Sequence, residues 1–206
     1  MQGNMSVSEN SPKMAPELIS RLNELWLPVY PHLAQWIKPW IPENTGHVLE
    51  IGPFSGGIIA SLLKHHSTVR GFIALAEEDV ARSIRKSFGP FCPMLISPLT
   101  HLPLLPAFNL VVSRGAFFFL NPEIIKESQR ILKPGGCALL GGGYGPDTPE
   151  HIISPIAEES KDLNYRLGKK RLSRSDLEKM ASKAGLDTQS TIIDEGGLWL
   201  LISSKD

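Results

Sequence analysis

Five short apolar runs, set among stretches with helical spacing, constrain the fold of this chain more than any other feature. They fall at 47–52, 69–75, 93–97, 108–113 and 137–140. Runs this short and this continuously apolar read as strands buried on both faces. Between them, Ile58, Ile59, Leu62 and Leu63 give 57–65 a helical face, and Val80, Ile84 and Phe88 do the same for the next segment. That second helix opens on Glu77, Glu78 and Asp79, acidic groups that suit the positive end of a helix dipole, and Gly89-Pro90 stops it. Asn121 is a good N-cap with Pro122 at the first helical position. The helix it starts is expected to run to Leu132, where Lys133-Pro134-Gly135-Gly136 breaks it. Strands alternating with helices demand a mostly parallel sheet covered on both faces. Right-handed crossovers then gather ligand sites at the carboxyl ends of the strands.

The flanks add to this core. Leu18, Leu22, Leu25 and Trp26, then Leu33, Trp36, Ile37 and Trp40, mark 16–42 as an N-terminal helical cover whose tryptophans read as packing residues. Residues 1–15 read as a frayed, disordered tail. The polar stretch 144–172 reads as an irregular lid. Ser173 with Asp176 caps a further helix that ends at Gly185. Residues 189–194 and 198–203, joined through Glu195-Gly196-Gly197, read as a terminal hairpin that brings one antiparallel strand into the sheet. With 206 residues, 16–206 is expected to form a single domain.

Charge and cysteine usage exclude several partners. Basic and acidic residues balance at 21 each, so nothing points to nucleic acid or to an anionic membrane. No apolar run approaches the roughly 20 residues of a membrane span. The N-terminus lacks the pattern of a signal peptide. Cys92 and Cys137 make neither a metal spacing nor a disulfide framework, so a cytoplasmic protein without a metal site is expected. The run Lys169-Lys170-Arg171 reads first as a solvated approach to a helix and second as a phosphate contact. None of the six histidines is spaced as a metal ligand, and no Ser-His-Asp order stands out.

The chemistry concentrates in Glu50-Ile51-Gly52-Pro53-Phe54-Ser55-Gly56, between the first strand and its helix. Gly52 and Gly56 lack a Cβ and let backbone approach a ligand. Glu50 offers an acceptor, and the helix N-terminus beyond offers free N–H groups. With Phe108-Asn109-Leu110-Val111-Val112 and Leu132-Lys133-Pro134-Gly135-Gly136, in this order, the turn resembles the class I S-adenosylmethionine-dependent methyltransferases over about residues 45–205. The resemblance implies a Rossmann-like α/β fold with a seven-stranded, mostly parallel sheet and a C-terminal antiparallel hairpin. It also implies S-adenosylmethionine as cofactor.

On that resemblance, Glu50, Gly52, Pro53, Phe54, Ser55 and Gly56 hold the methionine part, with Glu50 reaching its amino group. Glu77 and Leu99 fall near the nucleoside. Ser113, Arg114 and Gly115 fall near the sulfonium and the acceptor. Tyr144, His101 and Arg114 are the candidates for catalysis.

The sequence also departs from the family pattern. Phe54 replaces the middle glycine, either as a ring beside a sulfonium, contributing ~0.5–2 kcal/mol, or as a ring that crowds the pocket. Leu75 stands where an acidic residue usually meets the ribose, with Glu77 and Glu78 as substitutes, and Pro98 replaces an adenine-binding Asp. Asn109 replaces an Asp, which on this reading forgoes ~1.5–3 kcal/mol of charge-assisted hydrogen bonding. Two functions stay open: methyl transfer to a small molecule, or a catalytically inactive relative acting as a binding or scaffold protein. A nicotinamide dehydrogenase would need G-x-G-x-x-G, which the turn lacks.

Overall fold

The computed structural model describes residues 15–204; the tail expected at 1–15 lies outside them apart from Ala15. Seven strands form one sheet in the order β3-β2-β1-β4-β5-β7-β6. β1 (Gly46–Ile51), β2 (Val69–Leu75), β3 (Met94–Ile96), β4 (Phe108–Arg114) and β5 (Leu132–Gly142) run parallel. β7 (Leu198–Ser203) slots antiparallel between β5 and β6 (Ser190–Ile193). The terminal hairpin therefore adds one antiparallel strand to the sheet, as its turn residues and length foretold.

Alternation along each strand divides the core into two layers. Val48, Leu110, Val112 and Leu139 face one way, beneath α1 (Pro16–Leu25), α2 (Tyr30–Ile37), α3 (Gly57–His65), α4 (Glu78–Phe88) and α6 (Glu150–Arg166). Leu49, Val111, Ala138 and Leu140 face the other, beneath α5 (Pro122–Arg130) and α7 (Arg174–Lys183). A sheet covered on both faces explains why its central strands carry so few polar residues.

Two expectations are corrected. The helix after Asn121 ends at Arg130, not Leu132. Ile131 and Leu132 are buried, and Leu132 pairs with Phe108 at the start of β4. Ile131 caps the helix and the sheet claims Leu132, after which residues 133–136 loop out as a bulge before Cys137 pairs with Leu110. Second, most of 144–172 is the 17-residue helix α6 rather than irregular chain. Pro155 sits inside the helix, as its sixth residue. Ile156, Leu163 and Leu167 still reach the core at helical spacing.

At α7 the capping signal is realised in full. Ser173 accepts from the Asp176 N–H, and the Asp176 carboxylate accepts from the Ser173 N–H at 2.9 Å. No described helix is long and apolar enough to cross a membrane. Cys92 and Cys137 are free thiols, and the described residues hold no group of metal-ligating side chains.

Candidate functional site

The site lies at the carboxyl ends of the neighbouring strands β1 and β4. Glu50, one residue from the end of β1, is only 1% exposed. One carboxylate oxygen, Oε2, accepts from the backbone N–H of Gly56 at 2.9 Å and of Ile59 at 3.1 Å. Glu50 thus caps α3 from within the turn. Its other oxygen, Oε1, is buried with no partner among the described residues. Burial pushes the carboxyl up to about 7, against the backbone hydrogen bonds and the Arg114 charge, which act the other way.

Arg114 ends β4 and is 3% exposed. Its Nη2 donates to Asn23 Oδ1 and to the Tyr30 hydroxyl, both at 2.8 Å, and Tyr30 in turn donates to Asn23 at 3.0 Å. The guanidinium carbon lies 4.3 Å from the centroid of the Trp26 ring, 5.3 Å from that of Tyr30 and 5.2 Å from that of Phe54. Cation–π contact therefore stands in for an ion pair, and Nε is buried with no partner among the described residues. Burial also raises the Tyr30 phenol to about 12, which keeps that neighbour neutral.

Beside the Arg114 guanidinium sits the Phe54 ring, 1% exposed and 4.6 Å from the ring of Phe118. Gly115, at φ +82°, makes room for it: a Cβ there would stand 2.7 Å from the Phe54 ring. Phe119 packs over Gly52 in the same way, 2.5 Å from where a Cβ would be. Beyond it lies a small cavity of about 90 Å³, lined by Pro53, Leu75, Glu77, Val80, Leu99 and Phe119. This is well below the ~300 Å³ at which ligand pockets begin.

The other candidates take varied positions. Ser55 Oγ donates to the Gly52 carbonyl at 2.8 Å and holds the turn. Ser113 Oγ donates to the Ile51 carbonyl at 2.9 Å and ties β4 to β1. Tyr144 stacks on Trp26 with 4.7 Å between centroids and lines a second, larger cavity. His101 is exposed on the loop between β3 and β4 and lines neither cavity. Glu77 is half-buried at the small cavity, whereas Glu78 is exposed.

Asn109 requires a correction. Its side chain accepts from the His47 N–H at 3.0 Å at the amino end of β1, the opposite end of the sheet from Glu50. The absence of an Asp there removes nothing from the cradle. Asn23 and Tyr30 were missed as site residues because helical spacing marks them only as part of a cover. The one available signal was their polarity on the buried face of that cover.

An acidic strand end, a glycine turn and a helix N-terminus stand at the centre of a 3-2-1-4-5-7-6 sheet, where a Rossmann-like α/β fold places its ligand crevice. A model of the methyltransferase domain matches residues 49–140. A provisionally named S-adenosyl-L-methionine-dependent methyltransferase from Methanococcus maripaludis superposes with a TM-score of 0.75 at 22% identity, covering 98% of each chain. A SAM-dependent methyltransferase from Aquifex aeolicus gives 0.63 at 15% identity, covering 93% of this chain and 98% of its own. A Haloferax volcanii methyltransferase, also provisionally named and solved with the Trm112 activator, gives 0.67 at 14% identity, covering 96% and 98%. At these identities the superpositions carry the fold. No curated protein matches the chain. The domain match over residues 49–140 and the shared fold make the chain similar to the class I S-adenosylmethionine-dependent methyltransferases.

Proposed function

We propose that the chain transfers a methyl group from S-adenosylmethionine to a small molecule. The observation that carries the reading is the pair of buried, partnerless atoms at adjacent strand ends: an acceptor, Glu50 Oε1, and a donor, Arg114 Nε. Each such group left unpaired costs ~1–3 kcal/mol. An α-amino acid zwitterion answers both, its ammonium to Glu50 and its carboxylate to Arg114. The residues present therefore fit the methionine end of the cofactor.

When bound, the cofactor supplies a methyl group already activated by a sulfonium. The protein then needs alignment and exclusion of water more than a strong base. The cover formed by α1 and α2 excludes water, and Asn23 and Tyr30 hold the guanidinium in position. Pro53, Glu77 and Leu99 line the path to the nucleoside end. For the cofactor to seat, the rings of Phe54 and Phe119 must leave their present places.

A second reading follows from those same rings. If Phe54 never leaves, the chain is a non-catalytic relative that keeps only the architecture. Calorimetric titration with S-adenosylmethionine and S-adenosylhomocysteine, on wild type and on Phe54→Gly, separates the two. Methyl transfer expects micromolar binding at pH 8, tightened at least tenfold in Phe54→Gly, with thermal unfolding confirming that the variant is folded. No heat from either protein at millimolar ligand overturns the reading and leaves the second.

A further inference from the structure

The larger cavity, about 780 Å³, opens beside the carboxyl end of β5, between α1, α6 and residues 169–172. Its volume suits a small molecule. Four rings line it: Trp26, Phe117, Tyr144 and the largely exposed Tyr165. Trp26 is fixed by the Tyr144 stack and by its indole N–H, which donates to Ser160 Oγ at 2.9 Å. Such walls favour a flat, apolar body.

Cations outnumber carboxylates around the cavity by four to two. Lys169 Nζ lies 5.8 Å from the centroid of the Phe117 ring and forms none of the ion pairs among the described residues. Burial, with the Arg114 charge behind Trp26, lowers its pKa, the mark of a cation short of a counter-ion. Lys161, Lys170 and Arg171 also line the cavity. Of the two carboxylates there, Glu158 and Asp162, the latter faces Arg166 at 3.7 Å.

We propose that this cavity binds a planar, carboxylate-bearing small molecule, with Lys169 Nζ pairing the carboxylate and the Trp26, Phe117 and Tyr144 rings enclosing its apolar body. That this molecule is the methyl acceptor rests on the reading above; its binding does not.

The test uses the full chain without cofactor, titrated with 4-hydroxybenzoate and with its neutral counterpart 4-hydroxybenzamide. Binding is followed by calorimetry and by the ¹⁵N–¹H signal of the Trp26 indole. The benzoate is expected to bind at least tenfold more tightly than the amide and to shift the Trp26 signal. Lys169→Met should bring the benzoate down to the affinity of the amide and leave the amide unchanged. Lys169→Arg should restore most of the difference, which rules out misfolding as the cause. Equal affinity for the two probes, no binding of the benzoate at 10 mM, or an unchanged preference in Lys169→Met overturns the proposal. If S-adenosylmethionine gives no heat while the benzoate binds through Lys169, the methyl-transfer reading falls and the cavity assignment stands. Cofactor binding without benzoate preference does the reverse.

Discussion

Replacing Glu50 by Gln should remove a pH dependence of stability that is written into the turn. The carboxyl rises from an ordinary 4.5 to about 7 because it is buried with one oxygen unpartnered. Between those two pH values the folded chain holds a proton that the unfolded chain has released. Stability therefore falls as pH rises through the window and levels off above about 7. The separation corresponds to a ceiling of ~3 kcal/mol, and relaxation or water entry brings the expected loss to about 1–3 kcal/mol. In Glu50→Gln, the amide oxygen can still accept from Gly56 and Ile59, and no charge is left to desolvate. Urea denaturation of both proteins at pH 5, 6, 7 and 8 isolates the effect, since other titrating groups cancel in the difference. Wild type should lose stability relative to the variant by 1–3 kcal/mol between pH 5 and 8. A difference that stays flat across that range refutes the burial argument. The same titration limits the proposed cofactor contact: below about pH 7 the protonated carboxyl no longer attracts an ammonium, so affinity should weaken as pH falls.

Two further substitutions check the surroundings. Glu127 accepts from the Leu102 N–H at 2.6 Å and is bridged to Arg130 at 2.7 Å. Although burial opposes it, the Arg130 hydrogen bond holds the carboxyl below its usual range, and Glu127→Ala should cost about 2 kcal/mol in denaturant unfolding, discounted because Arg130 is partly exposed. That contribution is lost in the wild type only as pH falls below the ordinary carboxylate range. Gly115→Ala meets both a positive φ and the Phe54 ring. It should cost about 1–2 kcal/mol from backbone strain and more from the clash, and a Phe54→Gly background should relieve only the clash, giving a coupling of about 1 kcal/mol in a double-mutant cycle.

The architecture was legible because it depends on period and punctuation. Short apolar runs gave the strands, Asn121 and Ser173 gave helix starts, and the 195–197 turn gave the hairpin. The errors came where tertiary contacts decide. Leu132 belongs by spacing to a helix, and only pairing with Phe108 draws it into β5. The polar stretch 144–172 reads as irregular until the burial of Ile156, Leu163 and Leu167 is known. At the site, the residue types were visible but their directions were not. Nothing in the sequence says that Phe54 turns inward over Gly115, that Asn109 lies at the far end of the sheet, or that Lys169, Lys170 and Arg171 all line one cavity with Lys169 the least exposed of the three.

The arrangement around Phe54 sets two opposing free energies against each other. Burying the ring stabilises the closed turn by about 2–3 kcal/mol. That alone would weaken a ligand needing the turn open by roughly 30- to 150-fold, since each 1.4 kcal/mol is a factor of ten. The orphaned Glu50 Oε1 and Arg114 Nε act the other way, each leaving ~1–3 kcal/mol unrecovered until something pairs with it. A zwitterion that satisfies both regains about what displacing the ring costs. A ligand that satisfies only one regains about half as much. On this balance a simple anion or a simple amine should fail to open the turn, and selectivity for an amino-acid end comes from the closure itself.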